Sequence, residues 1–236
     1  MIYINHSKQA IFIHIPKTGG TYIGPTLEKY YGFTSYLQLL HNRRPDHESY
    51  CGVKHFKKVL TGNRTYDFSF FNKAIGILVY CKTSPFLSNM MNMTDEKWRT
   101  YKKFCFIRNP YTRALSGWKH MNIKLNRNME FYDYINQNPY NVTDIEYGHV
   151  FMSQKRQIQD ESGNCGVDII GRFEYLEEDF QEILQSLGFD KIIHKVERKN
   201  VSNEEGSDKV LYEARTVEKL NEIFKDDFES FHYIAV

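Results

Sequence analysis

The chain has 236 residues, 41% of them hydrophobic, and a formal net charge of +2 at neutral pH. That length supports one domain with a sizeable core, and the near-neutral balance excludes a general nucleic-acid binder, which needs a basic stripe. No run approaches the ~18 apolar residues of a membrane span, and the N-terminal MIYINHSKQAIFIHIPK lacks a basic leader and a cleavage site, so a cytoplasmic or otherwise soluble chain is expected.

No repeat, low-complexity stretch or Pro/Gly/Ser-rich linker interrupts the sequence, so residues 1–236 read as a single domain. Ala10 to Ile15 predicts a buried strand running into a Gly-containing turn. Thr21 to Tyr31 predicts a helix, with Pro25 in its first turn, where a missing N–H is tolerated. Residues 41–50 are polar and loop-like, and a short helix is expected around His55 to Leu60. Ala74 to Tyr80 reads as a second strand. Thr94 is the expected N-cap of a helix through Tyr101. Lys103 to Ile107 is a third strand, and Pro110 opens the next helix. Val167 to Phe173 is a fourth strand, followed by an amphipathic helix from Glu177 to Leu187 that Gly188 closes. Thr216 to Phe231 reads as one helix, with Leu220, Ile223, Phe224 and Phe228 on its apolar stripe. Strands alternating with helices predict an α/β domain with a mostly parallel central sheet.

The four cysteines, Cys51, Cys81, Cys105 and Cys165, form no CxxC pair, which fits free thiols in a reducing compartment. Cys51 with His55, His41 or His47 matches no standard zinc spacing, so no metal site is expected.

Two motifs fall where a parallel sheet binds ligands, at the carboxyl ends of strands. The first, IFIHIPKTGGTYI, sets Lys17, Thr18, Gly19, Gly20 and Thr21 between a strand and a helix start. Glycine there allows backbone N–H groups close to an anion, and the helix start adds favourable partial charge. Lys17 and the Thr18 and Thr21 hydroxyls are expected to add charge-assisted hydrogen bonds. This is not a Walker A motif, in which the lysine follows the last glycine; here Lys17 precedes Gly19 and Gly20. The second motif, KFCFIRNPYTRALSGW, ends a strand on Arg108 and places Ser116 two helical turns on. A guanidinium fork and a hydroxyl suit a phosphate. Two anion sites on one sheet edge imply a ligand with phosphate-like groups at both ends.

With these motifs the chain resembles the sulfotransferases that use 3′-phosphoadenosine 5′-phosphosulfate (PAPS), in the branch of Golgi carbohydrate sulfotransferases and their soluble microbial relatives. IPKTGGT resembles the family's 5′-phosphosulfate loop and RNPYTRALS its 3′-phosphate motif. Supporting stretches are DIIGRFEYLEEDF (Asp168 to Phe180), RKNVS (Arg198 to Ser202) and KDDFESFHY (Lys225 to Tyr233). The resemblance implies a P-loop-like three-layer fold with helices on both sheet faces, PAPS as sulfuryl donor and 3′-phosphoadenosine 5′-phosphate as product. It assigns Lys17, Thr18, Gly19, Gly20 and Thr21 to the 5′-phosphosulfate, and Arg108 and Ser116 to the 3′-phosphate. Family members tend to carry a Lys-His or similar pair between the motifs, so Lys54-His55 makes His55 the candidate base. The implied partner is an acceptor hydroxyl or amine, with carbohydrate favoured through the family branch, and no metal is required.

Lesser candidates stand beside these. His14, inside the first strand, reads as a satisfied core or supporting residue. Glu28 and Glu174 are candidates for acid–base or supporting roles, Glu174 with Arg172 or Lys199 as possible partners. Gln154 and Arg156 are placed to line a cleft, whereas Tyr111 and Trp118 read as packing residues. The competing functions are a nucleotide-dependent kinase or NTPase of the P-loop class, and a non-catalytic module that binds the nucleotide without turnover.

Overall fold

Short apolar runs in which successive residues are all buried require a sheet covered on both faces. The computed structural model describes residues 2–36, 92–125, 128–136, 150–190 and 213–236, and such a sheet lies at its centre. β1 (Ile2–Asn5) and β2 (Ala10–Ile13) form an antiparallel hairpin, and β3 (Thr34–Tyr36) pairs antiparallel with β1. β4 (Lys102–Ile107) pairs parallel with β2, and β5 (Ile169–Arg172) parallel with β4. The strand order is β3-β1-β2-β4-β5.

The helices among the described residues are α1 (Gly20–Tyr31), α2 (Asp95–Thr100), α3 (Pro110–Leu125), α4 (Phe131–Asn136), α5 (Gln154–Ile158), α6 (Leu176–Ser186), α7 (Ala214–Ile223) and α8 (Lys225–Phe231). Strand alternation sends Ile11, Ile13, Cys105 and Ile107 to one face, where Trp98 of α2, Ile158 of α5 and Phe231 of α8 cover them. Phe12, Phe104 and Phe106 point to the other face, against Ile23 and Leu27 of α1 and Phe180, Ile183 and Leu184 of α6. The result is three layers, with Phe12 and Phe104 stacked at 5.2 Å in the middle of the second core. A third cluster joins α3, α4, α7 and α8 through Leu115, Phe131, Tyr134, Leu220, Phe224 and Phe228.

The sheet is parallel at its centre, as the alternation of strands and helices predicts, and antiparallel on the β3-β1 side. The β1–β2 hairpin is not separable from the β2 run by period alone, because only the turn at residues 6–9 divides them. Asn5 makes that turn: its side-chain oxygen accepts from the Ser7 hydroxyl and the Lys8 N–H, both at 2.8 Å. A second difference lies at the C-terminus, where the single predicted helix is two. Phe224, at φ −107° and ψ 20°, ends α7 and opens α8. The apolar stripe does not reveal the break, since Leu220, Phe224 and Phe228 all enter the same cluster. The predicted strand at 74–80, the helix near His55 and the polar segment at 41–50 lie outside the described residues.

Candidate functional site

The parallel strands β2, β4 and β5 deliver three loops to one edge of the sheet: residues 14–19, Arg108 with Asn109, and Phe173–Tyr175. In the first loop Lys17 has φ 68° and Gly19 φ 91°, both in the left-handed region. For a lysine that conformation costs about 1–3 kcal/mol and is kept only where surrounding structure enforces it. Thr18, between them, is fully buried, and its hydroxyl donates to the Ile15 carbonyl at 2.8 Å. The Thr18 hydroxyl, expected to meet an anion, therefore closes the turn. Any part Thr18 has in anion binding falls to its backbone N–H.

Gly19 caps α1 without a side-chain hydrogen bond, and the first turn of α1 carries no acidic residue. The partial positive charge of that helix start is thus not offset by the helix's own side chains. Gly20 opens the helix beneath an imidazole: a methyl group at Gly20 would lie 1.9 Å from His14 Nε2. His14, read from sequence as a supporting residue, is half-buried and lies 6.3 Å from the Phe12 ring. Thr21 is exposed in the first turn of α1.

Arg108 brings the two motifs together. Its Nη1 donates to the Lys17 carbonyl at 3.3 Å and its Nε to the Thr112 hydroxyl at 3.0 Å. The guanidinium carbon sits 4.1 Å from the centre of the Phe173 ring, within cation–π range. Phe173 also borders Gly19, where an added methyl group would meet its ring at 3.3 Å. Ser116 is half-buried on α3. It stands one turn beyond Thr112, on the same helix face by i, i+4 spacing. The first turn of α3 likewise carries no acidic side chain.

The third loop is tied to the second. Glu174 accepts from the Asn109 N–H at 2.7 Å and from the Tyr233 hydroxyl at 2.9 Å. Burial, then the nearby Glu174 carboxylate, pushes the Tyr233 phenol well above its ordinary pKa. Arg172 stacks on Tyr233 at 4.8 Å and donates to the Phe231 carbonyl at 2.7 Å. Glu174 is therefore a tie between loops, with Asn109 and Tyr233 as partners, and Lys199, one of the partners suggested by sequence, lies outside the described residues.

Other candidates fall elsewhere. Glu28 accepts from the Ser35 N–H at 3.0 Å, about 12 Å along α1 from Gly20 at 1.5 Å per residue. Gln154 is fully buried and bonds the Arg108 backbone, so it supports the site from behind and lines no cleft. Arg156 is exposed, 4.0 Å from Asp226. Tyr111 and Trp118 pack as expected, Tyr111 on Phe228 at 4.8 Å and Trp118 on Phe131 at 5.5 Å. His55, Lys54, Cys51, Cys81 and Arg198 to Ser202 lie outside the described residues. Among those described, no three His, Cys, Asp or Glu side chains gather as a metal site needs.

Sequence reasoning missed Thr112, Phe173, Arg113 and Asp227. Asp227 did leave a signal: it falls seven residues after Leu220, on the apolar stripe of the C-terminal helices, where a carboxylate must find buried donors.

Against models of protein families, residues 1–234 match the one described as "Sulfotransferase family". No curated protein and no solved structure matches the chain.

Proposed function

The chain belongs to the sulfotransferase family, and from that premise we propose that it transfers a sulfuryl group from PAPS to an acceptor hydroxyl or amine on a carbohydrate. The whole chain, residues 1–236, is read as the catalytic domain. The observation that carries this reading is the Arg108 guanidinium on the Lys17 carbonyl at 3.3 Å, which joins two anion-binding motifs at one sheet edge. A donor phosphorylated at opposite corners of its ribose needs two such loops side by side.

In this reading the loop amides from Lys17 to Gly20 and the start of α1 hold the 5′-phosphosulfate, aided by Thr21. Arg108 and Ser116 hold the 3′-phosphate. The acceptor oxygen attacks sulfur in line, the bond from sulfur to the bridging phosphate oxygen breaks, and its electron pair leaves with 3′-phosphoadenosine 5′-phosphate. Lys17 neutralises the charge growing on that oxygen, the kind of stabilisation that dominates such transfers. His55 takes the acceptor proton, a role worth roughly 100- to 10,000-fold in rate. Tyr175, 60% exposed at the end of the third loop, offers a ring face to a sugar or a base.

The test is transfer of label from sulfur-radiolabelled PAPS across a panel of carbohydrate and small-molecule acceptors. Incorporation into a carbohydrate is expected. Transfer of phosphate from γ-labelled ATP, with none from PAPS, would overturn the reading in favour of a kinase. Tight PAPS binding without transfer to any acceptor would favour a non-catalytic module.

A further inference from the structure

Behind the two anion loops lies a buried polar hub supplied by the last helix. Asp227 of α8 is fully buried. One carboxylate oxygen accepts from the Ser153 hydroxyl at 2.6 Å and the Lys155 N–H at 3.0 Å. The other accepts from the Gln154 N–H at 2.9 Å and the Gln154 side-chain amide at 3.3 Å. Asp227 therefore closes the start of α5 as an N-cap does, but from another element.

Two routes lead from this carboxylate to the loops. Gln154 accepts from the Arg108 N–H at 2.9 Å and donates to the Arg108 carbonyl at 2.8 Å, so one amide holds both backbone groups of that residue. Arg113, also fully buried, has Nη1 3.9 Å from Asp227 and donates through Nε to the Pro16 carbonyl at 3.1 Å. Pro16 directly precedes Lys17. The same guanidinium donates to the Met152 carbonyl at 3.1 Å, ahead of Ser153. Because a buried donor or acceptor left unmatched is costly, each link is held to one geometry. The hub reaches the backbone of both motifs without lining the site.

Resting on the nucleotide reading above, we propose that Asp227, acting through Arg113 and Gln154, is a positioning residue that sets the spacing between the two anion loops for a doubly phosphorylated nucleotide. A ligand that grips two sites gains from the second only when the spacing matches its own. Loosening the hub removes that gain while each loop still binds a single phosphate. General destabilisation has a different signature, in which all ligands weaken together or none does.

The experiment is calorimetric titration of the wild-type chain and Asp227→Asn with adenosine 3′,5′-bisphosphate, adenosine 5′-phosphate and adenosine 3′-phosphate. The variant is expected to lose about tenfold or more in affinity for the bisphosphate and to stay within about threefold for either monophosphate. Equal losses for all three, or an unchanged bisphosphate preference, overturn the proposal. Should Asp227→Asn fail to fold, Gln154→Met, which leaves the Arg113–Asp227 pair in place, decides by the same criteria. If neither variant folds, the hub is a folding element and the proposal falls. A wild-type chain with no preference for the bisphosphate overturns the nucleotide reading itself, whereas preference in the wild type retained in the variants overturns only the hub.

Discussion

Lys17, held at φ 68° two residues before a glycine at φ 91°, is strained where the glycine is not, and its charge and its backbone strain are separable by substitution. Lys17→Ala removes the ammonium and keeps a side chain in a conformation that alanine resists. Lys17→Gly removes the ammonium and the strain. Both variants are expected to lose at least about 100-fold in turnover. In thermal melts Lys17→Gly should be the more stable of the two by about 1 kcal/mol, because alanine at positive φ is penalised and glycine is not. A melt in which the alanine variant is the more stable would deny the strain. At the next glycine the constraint is space. Gly20→Ala places a methyl group against His14 and should cost about 1–3 kcal/mol by overpacking. His14→Ala combined with Gly20→Ala should recover most of that loss, a non-additivity expected of residues in contact.

Helix ends decide much of the architecture at the next scale. Thr94 accepts from the Lys97 N–H at 3.2 Å and caps α2, with Asp95 and Glu96 in the first turn. Thr94→Ala should cost about 1 kcal/mol in denaturant unfolding and leave turnover unchanged, since α2 leads into the start of β4, at the opposite end of that strand from Arg108. The contrast with α1 and α3 is instructive: their first turns carry no carboxylate, so their positive ends act on whatever lies at the loops. At α5 and α8 the ends are locked together by Asp227, and Arg113 is its buried counter-charge at 3.9 Å. Removing one partner of a buried pair leaves the other uncompensated, so Arg113→Ala should cost about 3–5 kcal/mol in urea unfolding. A loss below about 1 kcal/mol would mean that the pair is solvated in solution, as surface pairs are.

Stability of the whole molecule should fall at alkaline pH, and two phenols say where. Burial, helped by the Glu28 carboxylate, pushes Tyr3 up to about 12, and burial beside Glu174 raises Tyr233 in the same direction. In the unfolded chain a tyrosine titrates near 10. From about pH 10 to about pH 12 the unfolded chain has released a proton that folded Tyr3 still holds, so stability present below that window is lost across it. Urea midpoints should therefore drop between about pH 10 and about pH 12, and Tyr3→Phe should flatten that slope. An unchanged slope in the variant would locate the alkaline sensitivity elsewhere.

Local features were legible in the amino-acid order because they depend on neighbours. The strand at Ala10, the cap at Thr94, Pro110 opening α3 and Gly188 closing α6 each follow from backbone preferences within a few residues. So did the two loops, since a lysine and paired glycines between strand and helix, or an arginine ending a strand, are short-range patterns. Tertiary structure alone decided that those loops touch, through a hydrogen bond spanning 91 positions of the chain. It also decided that the Thr18 hydroxyl closes a turn, that Gln154 and Asp227 stand behind Arg108, and that the C-terminal stripe breaks at Phe224. The physical reason is the same in each case. Periodicity states which side of an element is buried, but a buried polar group is satisfied by whichever partner the fold brings to it, and that partner can lie anywhere in the chain.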